Sequence, residues 1–348
     1  MTDSKRMPEF DIMRSLGIFI ILFHHLTAYT FNYYDLRFFG IEYDLTYVND
    51  LNRYFALGIF VYISGCLMSH GNRAINNLND VYIFLSKRIV RLIPLYLFAL
   101  TLFLALHIAE PISLPGLITH VMGLQVLLAT THSEPIATLW YIGLIISYYL
   151  VFVVIRKYGI DQKKQILIIA IIPLVAIALK IGLGIIDKRF FVYYAVFITG
   201  LYSSKIHDKM ITNKTLVLLG LIFFASIYLY VSKIYPAIYA TEITPPLFSF
   251  VSMSALLLLN SIMISFVCII HYLAKIIKVQ LRVFFFISYS SYCIYLFHRP
   301  IWGVMLKILE PENVTVRLAY LTLVGIPVMI VMSYAIQRLY DNMLASKK

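Results

Sequence analysis

The sequence predicts an all-α fold, a polytopic membrane bundle of about ten transmembrane helices with cytoplasmic N- and C-termini. Three observations predict it. Hydrophobic residues make up 61% of the 348 residues and charged residues only 13%, which leaves too few polar side chains for a water-facing surface. Runs of roughly 20 mostly apolar residues follow one another along the chain. Lys and Arg are concentrated in every second connection between these runs.

The ten apolar runs are separated by short polar connections. They lie at about 12–31, 54–69, 90–108, 138–155, 165–186, 190–204, 214–232, 246–273, 283–306 and 317–339. A further stretch, 114–129, is interrupted by Pro115, Gly116, His120 and Gln125. Because polar residues and Pro break the apolar pattern there, we predict an interfacial or re-entrant segment rather than an eleventh span.

The distribution of charge predicts the orientation and argues against several classes of partner. With the N-terminus inside, most of the 29 basic residues fall in the inner connections, as topology signals do. The net charge of +12 is spread over these connections and forms no separate basic domain, so we expect contacts with membrane lipids and none with nucleic acid. Cys66, Cys268 and Cys293 are isolated in apolar runs, with no CxxC spacing and no loop pairing, so we expect structural cysteines and no disulfide framework. We also expect no metal. One membrane domain, 1–348, is the simplest interpretation.

The first run carries ionisable side chains, which are costly inside a bilayer and therefore indicate function. Arg14 and His25 are eleven residues apart, close to three helical turns, so they share a helix face about 16 Å apart. Asp11, one turn before Arg14, can pair with it and orient it. Taken alone, Arg14 also fits a cytoplasmic anchor, and His24 or His25 also fits a hydrogen-bonded core residue.

Two later segments carry similar signals. Arg88 and Arg91 lie one turn apart at the start of the third run, where guanidinium groups could bind phosphate, although basic residues there also arise from topology alone. His298, Arg299 and Pro300 interrupt the ninth run near its predicted outer end. A proline there frees a backbone carbonyl one turn earlier, so this segment needs polar partners. We expect His298 at a depth comparable with that of His25.

The motifs occur in a recognisable order along most of the chain. They are Asp11 and Arg14 with His25, the segment 58–65, Arg88 and Arg91 before Pro94, the segment 139–142 around Trp140 and Tyr141, the segment 193–200, and 291–298 with Pro300. Together they resemble the acyltransferase 3 family of integral membrane acyltransferases, of the carbohydrate O-acyltransferase type. The chain departs from the family pattern in lacking an acidic residue after Trp140 and in having His24 beside His25.

The resemblance implies an O-acetyltransferase-like enzyme of the plasma membrane. It would transfer an acyl group, most often acetyl, from cytoplasmic acyl-CoA to a hydroxyl of a cell-surface or exported glycan or glycolipid. Acyl-CoA is then a donor substrate bound near Arg14, Arg88 and Arg91. His25 would act as general base with His298 at the same catalytic centre. The remaining candidates, for binding or orienting substrate, are Asp11, Trp140, Tyr141 and Arg299.

Other interpretations remain open at this stage. Ten spans with buried charges also fit a polysaccharide or lipid-linked sugar transporter or flippase, although we find no pair of related halves with matching interrupted helices. A membrane sensor or assembly partner would tolerate replacement of Arg14 and His25. Succinyl could replace acetyl as the transferred group, and homo-oligomerisation is left open. For the segment Ser64–Gly65 we expect close helix packing, because small residues permit it.

Overall fold

A computed structural model describes residues 7–30, 37–38, 41–42, 46–70, 75–108, 112–128, 136, 138–159, 161–203, 212–238, 245–277 and 282–346. Within these ranges the chain forms helices and one antiparallel pair of two-residue strands. The helices are α1 (Pro8–Thr30), α2 (Thr46–His70), α3 (Leu78–Ala105), α4 (Leu114–Val121), α5 (Gln125–Leu128), α6 (Trp140–Tyr158), α7 (Gln162–Leu183), α8 (Lys188–Leu201), α9 (Asn213–Ile238), α10 (Pro245–Ile277), α11 (Arg282–Ile308) and α12 (Val314–Ala345). The strands β1 (Arg37–Phe38) and β2 (Ile41–Glu42) pair antiparallel.

The predicted all-α membrane bundle is confirmed. Among the described helices, eight are long and apolar enough to cross a membrane, namely α1, α2, α3, α6, α7, α9, α10 and α12. The other two predicted spans are helical but differ in character. Helix α8 has 14 residues, fewer than a span needs, and α11 has 27 residues but includes serines, His298 and Arg299 in its apolar sequence. The orientation of the termini stays a prediction.

The interrupted segment 114–129 does not form one helix. Residues Leu114–Val121 and Gln125–Leu128 form two helices of eight and four residues, both too short to cross a bilayer. Ser113 caps the first of them by accepting a hydrogen bond from the Gly116 amide. Gly123, at a φ of +69°, separates the two helices. The last predicted residue of this segment, Ala129, lies outside the described residues.

The helices begin where polar side chains can satisfy their first amides. Asn77 and Asp80 form a reciprocal capping box at the start of α3. Asp161 caps α7, and Asp187 caps α8. Helix α7 ends at Gly184, which adopts a left-handed φ of +67°. These signals explain why the apolar runs are divided at these points.

The chain divides into two compact units. One consists of Met1–Ile63 and Lys205–Lys348, and the other of Ser64–Ser204, so the division falls within α2. In the first unit α1 packs against α10 and α11, α11 packs against α12, and α9 packs against α10. In the second unit α6 contacts α3, α5, α7 and α8. The single membrane domain predicted from the sequence stays a prediction.

Burial distinguishes interior helices from those with lipid-facing surfaces. In the second unit, 67% of the apolar 18-residue stretch of α6 is buried inside the protein, compared with 6% of the corresponding stretch of α7. In the first unit, only 11% of the corresponding stretch of α9 is buried. An exposed helix that is apolar all round can be stable only in an apolar solvent, so the outward faces of α7 and α9 are suited to contact with lipid.

Gly65 allows α2 to approach α8 closely, as the small residues at this position predict. A Cβ atom at Gly65 would lie 2.5 Å from the carbonyl oxygen of Phe197 and 2.7 Å from the amide nitrogen of Leu201. Both are backbone atoms and cannot rotate away. We therefore expect Gly65→Ala to destabilise the protein by about 1–3 kcal/mol, measured as a lower thermal unfolding midpoint in detergent.

Gly182→Ala is the matched control for this packing prediction. Gly182 lies within α7 of the same unit, and a Cβ atom there would meet nothing within 4 Å. Because alanine is favoured over glycine in helices by about 1 kcal/mol, this variant should unfold at the same temperature or slightly higher. Equal unfolding midpoints for the two variants would contradict a close contact at Gly65.

Candidate active site

The predicted inner end of α1 carries a buried carboxylate that holds Arg14. Asp11 is 8% exposed, and its Oδ1 accepts a hydrogen bond of 2.6 Å from the Ser288 hydroxyl on α11. Arg14 Nη1 lies 3.9 Å from the same carboxylate oxygen and 3.4 Å from Ser288 Oγ. Asp11 therefore orients Arg14, as the one-turn spacing predicts, and Ser288 completes the arrangement. The spacing within α1 gave no sign of Ser288, which comes from another helix.

A second hydrogen bond fastens the same ends of α1 and α11. The Ser15 hydroxyl lies 2.9 Å from the carbonyl oxygen of Asp11 and 3.1 Å from that of Phe284 on α11. Ser15 is fully buried, so this contact is part of the packed interface between the helices. The Arg14 side chain keeps 28% of its surface exposed. A guanidinium that is anchored on one side and accessible on the other is suited to bind an anion.

Three turns further along α1, the structure brings His25 and His298 together. Their rings stack with centroids 4.9 Å apart and an interplanar angle of 28°. His25 is half-buried, whereas His298 on α11 is completely buried. The two histidines are 273 positions apart in sequence, yet the depth expected for each along its own helix places them at the same level. This pair brings together predicted site residues from two different helices, α1 and α11.

The hydrogen bonds of His298 fix which of its ring nitrogens carries the proton. Nδ1 lies 2.8 Å from the carbonyl oxygen of Tyr295 and 3.2 Å from that of Ile294. Carbonyl oxygens only accept, so Nδ1 must be the donor and must carry a hydrogen. In the neutral ring, Nε2 then has a free lone pair, and it is buried without a hydrogen-bond partner among the described residues. His298 therefore offers a proton acceptor and, while neutral, no Nε2 donor for an oxyanion.

His24 lies beside His25 and connects α1 to α2. The His24 ring lies 4.6 Å from that of His25, and its Nδ1 is hydrogen-bonded to the side chain of Asn49 on α2. One turn along α2, Arg53 forms an ion pair of 3.3 Å with Asp50. The additional imidazole that distinguishes this chain therefore has a partner of its own and fixes α1 to α2. Neither Asn49 nor Arg53 was predicted, because single polar residues near a helix start give no specific signal.

Trp302 supports the stacked pair from the same face of α11. It is completely buried, lies one turn after His298 and contacts that ring edge-on, with centroids 5.9 Å apart. A Cβ atom at Gly325 on α12 would lie 3.0 Å from the Trp302 indole nitrogen, so this glycine makes room for the indole. Gly325 ends the π-helical segment Tyr320–Gly325. Such segments inside α-helices are frequent at functional sites.

In the second unit, Arg88 and Arg91 differ from each other. The Arg88 guanidinium lies over the Phe84 ring at 4.0 Å and over the Tyr149 ring at 5.5 Å, which orients it by cation–π contacts. Arg91 is exposed on the same helix. The two side chains are accessible enough to meet a phosphate group, but a site that they share with Arg14 stays a prediction.

Trp140 and Tyr141 are buried at the start of α6, each with 7% of its surface exposed. The Arg189 guanidinium lies 4.7 Å from the Trp140 ring centre and 3.7 Å from Asp187 at the start of α8. Tyr193 contacts the same indole, with centroids 6.3 Å apart. Trp140 is thus the centre of a packed cluster, and a role in substrate binding stays a prediction. Arg189 was missed because a lone arginine at a helix start resembles a topology signal.

The family model for the acyltransferase domain, Acyl_transf_3, matches residues 7–338, which is nearly the whole chain. The chain belongs to the acyltransferase 3 family. The resemblance inferred from the order of the motifs is therefore confirmed, and the protein is a multi-pass membrane acyltransferase. No curated protein and no solved structure matches the chain.

The match to the acyltransferase 3 family includes both ends of the α1–α11 interface. Asp11 and Arg14 lie near the start of the matched range, and His298 lies on α11, also within the matched range. Among the residues that the structure describes, no group of three His, Cys, Asp or Glu side chains could hold a metal ion. The groups that the structure places at the stacked pair are the imidazoles of His24, His25 and His298, the indole of Trp302 and, next to His298 in α11, the guanidinium of Arg299.

Proposed function

We propose that the protein transfers an acyl group, in the first place acetyl, from cytoplasmic acyl-CoA to a hydroxyl of a cell-surface or exported glycan or glycolipid. The observation that carries this proposal is the stack of His25 on His298, with a free lone pair on His298 Nε2. Neutral imidazoles are the side chains best suited to take a hydroxyl proton near neutral pH. Membership of the family favours this activity over the transporter that the sequence left open.

The proposed donor site is at the end of α1 that carries Arg14. Acyl-CoA is a phosphate-bearing molecule that cannot cross an apolar bundle, so its phosphates should stay in the cytoplasm while the slender pantetheine arm enters. Arg14, held by Asp11 and Ser288, is placed to bind one of these phosphates if the N-terminus is cytoplasmic. Arg88 and Arg91 are proposed to bind the same donor. The enzyme then belongs in the plasma membrane, with its acceptor on the outer side.

The proposed reaction consists of one nucleophilic attack, during which a proton passes to His25 and is later returned by it. His25 takes the proton of the acceptor hydroxyl as its oxygen attacks the thioester carbonyl. The tetrahedral intermediate collapses, the carbon–sulfur bond breaks, and the CoA thiolate leaves with the proton that His25 returns. Two imidazolium charges 4.9 Å apart would repel each other, so the stacked pair should hold one proton at a time, which matches one hydroxyl per transfer.

His298 has a complementary role in this proposal. Its Nε2 lone pair can accept a hydrogen bond from a second hydroxyl of the acceptor, and a sugar carries such hydroxyls on neighbouring carbons. The hydrogen bonds from Nδ1 to the Tyr295 and Ile294 carbonyls hold this lone pair in a constant direction. A fixed acceptor beside the base favours catalysis because it orients the attacking hydroxyl before the reaction begins.

The direct test uses membranes that contain the protein and acetyl-CoA labelled in its acetyl group. We expect label to enter a hydroxylamine-sensitive ester on glycan or glycolipid, and membranes without the protein to incorporate none. Export of unlabelled glycan without ester formation would instead support a transporter. Binding of neither donor nor acceptor would support a sensor or assembly partner and exclude the proposal.

Arg14→Ala is expected to weaken the use of acetyl-CoA. The lost contact is a charge-assisted hydrogen bond to phosphate, so KM for acetyl-CoA should rise about tenfold or more while kcat changes less. Arg282→Ala is the matched control, since Arg282 is an exposed arginine at the corresponding end of α11. If both variants keep the wild-type KM, Arg14 serves only as a topology signal.

A further inference from the structure

Arg299 lies beside the stacked histidines and has no described carboxylate partner. Four of the described arginines have one within 4.0 Å, namely Arg14, Arg53, Arg189 and Arg317. In the part of the chain that the structure describes, none is found for Arg299, and its Nε is buried without a hydrogen-bond partner. A half-buried cation within a membrane protein is costly when it is unpaired. Arg299 therefore offers a positive charge that a ligand could neutralise.

The position of Arg299 connects this charge with the proposed chemistry. It follows His298 directly in α11, and His298 stacks on His25, so the Arg299 charge is one residue away from the stacked pair. His298 is completely buried, and its Nε2 also lacks a partner among the described residues. Two neighbouring side chains thus each present a polar nitrogen that nothing described in the protein satisfies. Buried polar groups are usually paired, so a ligand that contacts both nitrogens would satisfy them.

The two nitrogens differ in what they can bind. Arg299 only donates hydrogen bonds and carries a permanent charge, while neutral His298 Nε2 only accepts. A permanent charge is best matched by a permanent anion, and the planar guanidinium fork matches the two oxygens of a carboxylate. An oxyanion that exists only during the reaction would leave Arg299 unpaired in the bound ground state. The pair is therefore suited to a substrate complex that brings a carboxylate to Arg299 and a hydroxyl to His298.

We infer that Arg299 binds a carboxylate of the substrate, next to the atoms that react at His25 and His298. This inference rests on the proposed acyl transfer for its chemistry and goes beyond it in naming the charge of the substrate. The carboxylate can come from either of two sources. It is the free end of a dicarboxylic acyl group such as succinyl on the donor, or it belongs to an acidic sugar such as a uronic acid in the acceptor.

The first experiment measures binding without turnover, using the purified full-length protein in detergent. Ligand binding raises the thermal unfolding midpoint, and each carboxylate probe has a neutral counterpart. The donor arm compares succinyl-CoA with acetyl-CoA, and the acceptor arm compares a glucuronic-acid-containing oligosaccharide with a glucose oligosaccharide. We expect the carboxylate member to bind about tenfold or more tightly in one arm. Equal protection by both members in both arms would overturn the inference.

Variants then assign the preference to Arg299. In Arg299→Gln the carboxylate preference should disappear while binding of the neutral probe persists, which also shows that the variant is folded. Arg299→Lys keeps the charge without the planar fork, so it should retain part of the preference. Lys307→Gln, which removes an exposed cation of the same helix, should keep the wild-type preference. A preference that persists in Arg299→Gln would overturn the role of Arg299.

Turnover separates this inference from the proposed function. If the wild-type protein transfers labelled acyl groups but shows no carboxylate preference in either arm, the proposed function stands and the inference fails. If the protein transfers no acyl group from either donor, the proposed function fails, and the binding arms still decide whether Arg299 recognises a carboxylate. A preference in the donor arm identifies the acyl group as its source, and a preference in the acceptor arm identifies the sugar.

Discussion

Replacing His25 with alanine is expected to lower kcat for labelled acyl transfer by about 100-fold to 10,000-fold, the usual contribution of a general base. The imidazole lost in this variant is the half-buried member of the stacked pair, and it lies on the helix that carries Arg14 at its other end. Because Arg14 and its partners Asp11 and Ser288 are three turns away, KM for acetyl-CoA should change little. The measurement is the initial rate of label incorporation in membranes with equal amounts of protein.

Variants of two other histidines show whether the lower rate of His25→Ala is specific to the catalytic base or follows from the loss of any histidine. His70→Ala removes an exposed imidazole from the end of α2 and should keep the wild-type rate. His24→Ala removes the ring beside His25 together with its hydrogen bond to Asn49, so we expect an intermediate rate from a less well positioned His25. Wild-type transfer by His25→Ala would exclude the proposed mechanism, whichever residue then supplied the base.

The helical frame could be predicted from the sequence because the bilayer imposes a simple rule on composition. Runs of roughly 20 apolar residues must become helices, since no water satisfies their backbone groups. Composition predicts membrane spans less well where polar side chains interrupt an apolar helix, as in α11, or where the helix is short, as in α8. The break at Gly123 that separates α4 from α5 was anticipated only as an interruption, because a left-handed turn depends on local contacts.

The candidate site was predictable along each helix and much less so across helices. Helical periodicity placed Asp11, Arg14 and His25 on α1 and predicted comparable depths for His25 and His298, but it did not predict that the two rings stack. Periodicity cannot say which face of α11 meets α1, so the hydrogen bond from Ser288 to Asp11 required the packed structure. The same holds for Trp302, whose place depends on a small residue in α12.

His298→Ala is expected to lower kcat by about 100-fold or more, and the combined variant with His25→Ala should be little worse than either single variant. Residues that act as a unit in catalysis show such non-additive losses, because removing one already disables the other. The contact between the two rings, 4.9 Å between centroids, is close enough for this coupling. The measurement is a double-mutant cycle on the rate of label transfer.

His298→Asn tests whether the fixed lone pair matters in addition to the volume of the ring. Asparagine can donate to the Tyr295 carbonyl but is too short to present an acceptor where Nε2 now lies, so it should be nearly as inactive as alanine. If the fold-decreases in kcat of the two single variants multiply in the double variant, the two histidines act independently and the stacked pair is a packing contact. If the double variant loses little more kcat than either single variant, with KM for acetyl-CoA unchanged, both rings act in the same step, on the acceptor side of the reaction.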